Sequence, residues 1–343
     1  MKKGRQENSR IMNKRMQKVV TIGGGSGQFA LLAGLRDLEG IDITAIVSMA
    51  DSGGSTGRLR DELGILPPGD VLKCVLALSP QRDIVRTILL KRLKGDNRLQ
   101  GHNAGNMLLT MLAEYTGNFA TGVNALSEIL DARGTILPVT IDKTTLVAEL
   151  TDGSRIYGQR AINVPRETQR EKIKDIYLVP HHHDDVAPYP PVIEAIRRAD
   201  HIIVGPGDLF TSIIPNLLVP GVKEAIMDTR ANVFYIVNIM TKYGETNTFS
   251  CCDFVQSIEF FIGRPVDGVI YNTEKPDPGI LKRYRKYEQS EFVEIDTENP
   301  FWKSRTLYCA DLLSMTGGIA RHDSRKLADI LQDMISGTSK KTF

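Results

Sequence analysis

The sequence predicts an α/β protein: a doubly wound, mostly parallel Rossmann-like sheet with a small β-rich insertion. Three observations predict it. Short β-branched runs such as KVVTIGG and HIIVGPG end on glycines, as buried parallel strands do where they feed a loop. Longer apolar runs such as GDVLKCVLALS and DIVRTILLKRL lie between them, and strand–helix alternation builds parallel sheets. The chain has 343 residues, 41% hydrophobic and 24% charged, which suffices for a large core.

In chain order, KVVTIGG is the first strand and FALLAGLRDL its helix, and IDITAIVSMAD is the second strand. GDVLKCVLALS, DIVRTILLKRL, HNAGNMLLTMLAEYTG and FATGVNALSEILDARG follow as four helices, the last ending on glycine, a common helix stop. TILPVT, TTLVAEL, SRIYGQ and IKDIYLVP are short runs broken by polar turns. They read as a β-rich insertion over about 135–180. The alternation resumes with helix PPVIEAIRRAD and strand HIIVGPG, then strand NVFYIVNIM, helix CCDFVQSIEFFIG and strand DGVIYN. FVEID is a candidate strand, and SRKLADILQDMI closes the chain as a helix. Residues 18–343 thus read as a single domain.

Residues 1–17 differ. The first eighteen residues carry seven Lys or Arg against one Glu and lack the apolar stretch of a signal peptide. They read as a disordered basic tail, with a nucleic-acid-binding arm as the alternative. The net charge of +2 gives no global field for nucleic acid or an anionic membrane. No run has the roughly 18 apolar residues of a membrane span. Cys74, Cys251, Cys252 and Cys309 have no CxxC spacing and read as reduced, buried thiols of a cytoplasmic protein. PNLLVPG and CCDFVQSIEFFIG read as core by default, with a homo-oligomer interface as the alternative.

In a doubly wound sheet, ligands bind beyond the carboxyl ends of the strands. The first such loop is GGGSGQFA, where Gly25, Gly27 and Ala30 fit G-x-G-x-x-A. Its glycines, Gly24, Gly25 and Gly27, let the backbone approach a phosphate, with the Ser26 hydroxyl among them. The second is ADSGGSTGRLRDELGILPPGD, which holds five glycines and four carboxylates in twenty-one residues. Asp51 stands where a dinucleotide-binding domain holds a ribose, so an NAD-binding module is one reading. Ser52, Gly53, Gly54, Arg58 and Arg60 look instead like a second anion cradle, and Asp51 could hold a metal. Asp70 is a candidate N-cap of the next helix or a ligand contact.

Three further loops follow. His102, Asn103 and Asn106 open a helix in GHNAGN and serve either as polar contacts or as a cap. Gly205, Gly207, Asp208, Thr211 and Ser212 follow a strand and suit a nucleotide or phosphate. Asn238, Thr241 and Glu245 in NIMTKYGET could read a ribose or base, or merely complete a turn. HHHDD, His181 to Asp185, invites a zinc reading. Three consecutive histidines cannot all reach one tetrahedral ion, and an exposed turn is preferred.

GGGSGQ, DSGGSTGRLR, GILPPGD, GHNAGN and VGPGDLFTSIIPNLLVPG, in this order, closely resemble the YvcK-like gluconeogenesis factor family. That family is related to CofD, the 2-phospho-L-lactate transferase of deazaflavin coenzyme synthesis. The resemblance spans roughly Lys18 to Ile335. It implies a Rossmann-like sheet with an added β region in a cytosolic protein. It also implies binding of UDP-sugars such as UDP-N-acetylglucosamine, with a role in cell shape and growth on gluconeogenic carbon sources. From the family it carries over a nucleotide-sugar-contacting tyrosine onto Tyr284, with Tyr287 as competitor, and an arginine onto Arg321 of RHD, where Asp323 can cap the following helix. CofD-like relatives imply the alternative, a Mg²⁺-dependent transferase using a guanylyl-activated donor, with Asp51 catalytic and metal-binding. The chain departs from the family pattern at three places. Ser52 replaces the second Asp of D-D-G-G, which weakens a paired-carboxylate metal site. Gln28 ends GGGSGQ in place of GGGTGL, and Lys73 follows Gly-Asp-Val-Leu where the family has GD-[IV]-R-N.

Overall fold

QKVVTIG forms β1 (Gln17–Gly23) and IDITAIV forms β2 (Ile41–Val47), paired in parallel register with Thr21 opposite Ala45. Between them α1 (Gly25–Leu35) starts inside the glycine loop, so GSG is already its first turn. The computed structural model describes residues 15–80, 83–94, 99–165, 170–182 and 184–337. The basic segment 1–14 and His183 of HHHDD lie outside the described residues.

The polar stretch after β2 forms α2 (Gly54–Leu63), closed by Gly64 in the left-handed region, then α3 (Pro68–Leu78). The helices α4 (Asp83–Leu90), α5 (Ala104–Thr116) and α6 (Phe119–Ile129) follow. Asn103 caps α5 by accepting the Asn106 N–H, and Asn118 caps α6. TILP is β3 (Thr135–Pro138), and it pairs with β2 as the edge of the main sheet rather than opening the insertion. Four residues without an apolar alternation look the same in either setting, and only the pairing partner decides.

The separate antiparallel sheet has the order β5–β4–β6, built from β4 (Thr144–Leu150), β5 (Arg155–Tyr157) and β6 (Ile173–Pro180). The short helix α7 (Gln159–Asn163) lies between β5 and β6 in sequence. Next come α8 (Pro190–Arg198) and β7 (His201–Val204), a π-helical turn at Leu209–Ile213, α9 (Ile214–Leu217) and α10 (Val222–Asp228). Then follow β8 (Asn232–Ile236), α11 (Cys251–Ile262) with a full Ser250–Asp253 capping box, β9 (Gly268–Asn272) and α12 (Pro278–Arg283). The chain ends in β10 (Thr306–Ala310), the hairpin β11 (Leu313–Thr316) and β12 (Ile319–His322), and α13 (Ser324–Ser336) capped by Asp323. FVEID forms no strand; Phe292 makes one isolated bridge to Met240.

Among the described residues the main sheet has seven strands in the order β10–β9–β8–β7–β1–β2–β3, and every pairing is parallel. The chain winds outward from β1 to β3 and from β7 to β10. The direction therefore reverses between β1 and β7, and a crevice opens at such a switch point. β7 and β9 are buried throughout, and α1 packs on α3 and α13. Gln28 is fully buried and donates to Thr21 Oγ1 (3.2 Å) and the Ile46 carbonyl (3.0 Å). Its amide thus ties α1 to β1 and β2. Among the cysteines, Cys74 and Cys251 are buried, whereas Cys252 and Cys309 are only half-buried; all four are free thiols. Among the described residues no single helix is long and apolar enough to cross a membrane.

The loops after β1 and β7 touch backbone to backbone. A Cβ on Gly27 would lie 2.2 Å from the Pro206 carbonyl oxygen. Only glycine fits there without displacing main chain. Gly27→Ala is expected to cost about 2 kcal/mol or more, read as a lower midpoint in urea unfolding.

Candidate functional site

Two cavities open at the carboxyl ends of β1 and β7 and share Ser26, Gly27, Asn163, Gly207 and Asp208. The smaller, about 250 Å³, is lined by Gly24, Gly25, Ser26, Gly27, Asp51, Asp70, Lys73, Gln159 and Ser212 besides. The larger, about 640 Å³, adds Asn238, Thr241, Lys242, Tyr284, Tyr287, Arg321 and His322. Together they make one cleft with a narrow polar end and a wide end.

At the narrow end, Asp51 accepts the Gly53 N–H (2.8 Å) and Lys73 pairs with Asp70 (2.8 Å). Burial, then the negative charge of Asp70, pushes the Asp51 carboxyl up to about 6. Asp70 is not the N-cap of α3. Pro67 holds that position, and Asp70 sits in the first turn, where a carboxylate suits the helix dipole. The paired carboxylates of the cleft are therefore Asp51 and Asp70, and both are present.

Ser52 has a different task from the one the sequence suggests. Its hydroxyl accepts the Arg160 N–H (3.0 Å) at the start of α7. Gly158 there has φ +88°, and a Cβ on it would lie 3.3 Å from Ser52 Oγ. Ser52 thus caps a helix 108 residues away instead of lining the cleft. The residue at position 52 bears on helix capping, not on the Asp51–Asp70 pair. Ser52→Ala is expected to lower stability by about 1 kcal/mol, while Ser52→Asp, also a good cap, restores it; thermal unfolding of both variants checks this.

Several residues singled out in the sequence stand behind the cleft. Arg58 is exposed and donates to the Gln100 carbonyl, because its position on α2 faces the Gly101 turn rather than the cleft. His102 is buried with Nδ1 2.8 Å from Ser55 Oγ, and Asn106 Nδ2 lies 3.5 Å from the same hydroxyl. With the Asn103 cap, these three brace α2 against α5. Burial, then the Arg58 charge, lowers the His102 pKa. Gly53 is the N-cap and Gly54 the first residue of α2. Gly205 adopts φ +76° ahead of Pro206, and neither helix-start glycine nor Gly205 lines either of these two cavities.

The cleft's waist holds a charge cluster that the sequence did not single out as a unit. Lys242 Nζ pairs with Asp208 and lies 3.3 Å from Glu245 Oε1. Glu245 also accepts from Thr211 Oγ1 at 3.0 and 3.2 Å. Burial pushes the Glu245 carboxyl up to about 7 despite Lys242. Asn163 of α7 donates to Asp208 Oδ2 (2.9 Å) and Thr211 Oγ1 (3.2 Å). Lys242 stands one residue past Thr241 in NIMTKYGET, so asking which cation leaves a strand end would have found it. Asn163 had no signal, since α7 carries no motif.

At the wide end Tyr284 is buried, and its phenol oxygen accepts the Ala320 N–H (2.8 Å). It anchors the hairpin beside Arg321 instead of offering a free stacking face. Tyr287 is 71% exposed, with the Lys286 ammonium over its ring at 5.0 Å from the centroid. Arg321 is exposed, and its guanidinium has no hydrogen-bond or salt-bridge partner among the described residues. Burial drops the His322 pKa to about 4, so the ring is neutral near pH 7. Asn238 donates to the Gly207 carbonyl (2.9 Å), and Thr241 Oγ1 accepts the Glu291 N–H (2.9 Å).

Among the described residues, no three His, Cys, Asp or Glu side chains gather to hold a metal. His181 contacts Thr145 Oγ1 (2.8 Å) through Nε2. Asp51 and Asp70 still suit Mg²⁺, which typically takes one or two carboxylates and completes its shell with water and phosphate.

Fold and cleft define a doubly wound α/β protein whose cleft opens at the switch point of the sheet. The family model described as 2-phospho-L-lactate transferase CofD matches residues 19–313. The gluconeogenesis factor of Bacillus subtilis is 38% identical over 319 residues, covering 93% of this chain and 98% of that protein. A Thermotoga maritima relative is 40% identical over 321 residues, covering 92% and 98%. A crystal structure of a Bacillus halodurans protein superposes with a TM-score of 0.85 at 37% identity, over 92% of this chain and 99% of that one. The chain belongs to the CofD family, alongside the gluconeogenesis factors.

Proposed function

We propose that the chain is a cytoplasmic sugar-nucleotide-binding protein whose ligand is of the UDP-N-acetylglucosamine type. It would support cell shape and growth on gluconeogenic carbon sources, as the family resemblance implies. Residues 18–343 act in this reading as one domain with the antiparallel sheet as its insertion. The observation that carries it is the cleft joining a glycine-lined polar end to a wide end whose arginine has no side-chain partner among the described residues. A diphosphate suits the first, because helix-start N–H groups favour anions. A sugar or base suits the second, where Tyr287 offers a ring and Arg321 a charge.

The narrow end is net negative: Asp51, Asp70 and Asp208 against Lys73, with Lys242 reaching Asp208 from the wide end. A phosphate chain therefore enters best with a divalent cation, which would rest on Asp51 and Asp70. Titration calorimetry with UDP-N-acetylglucosamine and Mg²⁺ tests this reading. A dissociation constant below 1 mM is expected, and no heat at millimolar ligand sinks it.

A second reading, a CofD-like transferase of phosphate-containing groups, is favoured by one observation. The narrow cavity is faced by the neighbouring carboxylates Asp51 and Asp70 as well as by Asp208, so Ser52 removes none of them. It predicts Mg²⁺-dependent consumption of a nucleotidyl-activated phospholactate donor, lost in Asp51→Asn. A donor left intact by the parent protein disposes of it.

A further inference from the structure

Lys242 occupies the point where the narrow and wide ends of the cleft meet. Asp208, its partner, lines both cavities, and Lys242 itself lines the wide one. Its side chain retains 27% exposure, whereas that of Glu245 behind it has none. An ammonium has three donors. Asp208 and Glu245 occupy two of them, and no described residue takes the third. Burial alone pulls the ammonium pKa down, but Glu245 and Asp208 outweigh it and hold it above its ordinary value. The charge is thus permanent at the pH of a cell.

The support behind it is fixed. Glu245 is held by Thr211, and Asp208 by Asn163. A ligand oxygen arriving at the waist therefore meets a positioned cation rather than a mobile surface lysine. Of the cations lining the cleft, Lys73 is paired with Asp70 deep in the narrow end and Arg321 stands at the wide end. Lys242 lies between them, where a phosphate chain spanning the waist would pass.

Resting on the sugar-nucleotide reading, we infer that Lys242 is a specificity residue that senses the phosphate chain of the ligand, exchanging part of its contact with Asp208 for a phosphate oxygen. Uridine, which lacks phosphate, then gains nothing from Lys242. UDP and UDP-N-acetylglucosamine do.

The test compares the parent protein with Lys242→Gln and Lys242→Arg by calorimetry against uridine, UDP, UDP-N-acetylglucosamine and inorganic pyrophosphate, all with Mg²⁺. In Lys242→Gln, UDP and the UDP-sugar are expected to bind at least about tenfold more weakly, the size of one charge-assisted hydrogen bond. Uridine affinity should stay within about twofold, and Lys242→Arg should recover most of the loss. Equal losses for uridine and UDP would mean a purely structural role and overturn the inference, as would unchanged UDP affinity. If the parent binds no uridine compound, the sugar-nucleotide reading falls, and pyrophosphate decides the role of Lys242 separately. A tenfold pyrophosphate defect in Lys242→Gln upholds it; equal affinity, or no binding to the parent, overturns it.

Discussion

Arg321→Ala is expected to weaken UDP-N-acetylglucosamine binding by about 10- to 100-fold, the range of a lost charge-assisted contact. Stability should change by no more than about 0.5 kcal/mol. Both expectations follow from one fact: the guanidinium lines the wide end of the cleft and has no protein partner among the described residues. Removing it breaks nothing in the fold. Affinity in the parent should also fall as salt rises, since an exposed charge is screened. Tyr284→Phe is the companion variant. It removes the oxygen that accepts the Ala320 N–H, so it loosens the hairpin while keeping the ring that lines the wide end. A loss smaller than that of Arg321→Ala would separate contact from support. Unchanged affinity in Arg321→Ala would refute this placement of the ligand.

Asp51→Asn should have two opposite effects. In metal-free buffer at pH 7.5 it should stabilise the protein by about 1 kcal/mol. The folded-state pKa of Asp51 is raised to about 6 by burial and by Asp70, so the native state holds a proton that the unfolded chain has released. Between about pH 4 and pH 6 that difference makes stability fall as pH rises, and above pH 6 the ionised carboxylate is a standing cost. The advantage of asparagine should therefore shrink as pH falls through 6 and vanish only below about pH 4, where the carboxyl is protonated in both the folded and the unfolded chain. In binding, the same substitution should abolish the enhancement of ligand affinity by Mg²⁺. The parent should lose that enhancement on acidification from pH 7.5 to 5. Chemical denaturation across this range and calorimetry with and without Mg²⁺ measure the two halves. A destabilised Asp51→Asn at neutral pH would show that the carboxylate is repaid by contacts within the fold.

Much of the architecture was legible because β-branched runs ending in glycine mark parallel strands, as in VVTIGG and HIIVGPG. The hairpin carrying Arg321 was not, because LSMTGGIARH is short and mixed in polarity. β10 was missed for a similar reason: TLYCA lacks the β-branched density of its neighbours. In the site, the glycine loop, Asp51 and Asp70 were picked from local pattern and Arg321 from the family resemblance, and all of them line one cleft. Arg58 and His102 had equally suggestive neighbours, yet they face Gln100 and Ser55. The direction a side chain takes from a short helix is set by packing, which local pattern does not encode. Ser52 illustrates the same limit, since its partner, Arg160, is remote in sequence.

The contact between Gly27 and Pro206 divides the cleft by what can change in it. Its floor is main chain pressed against main chain, and the shape of a backbone hardly depends on which side chains surround it. The side chains of its wide end, Lys242, Tyr287 and Arg321, are carried by the second half of the chain, whereas Asp51, Asp70 and Lys73 of its narrow end come from the first. The two ends of the cleft are thus written in different parts of the sequence, and substitutions past residue 240 reshape the wide end while leaving the backbone seat as it is.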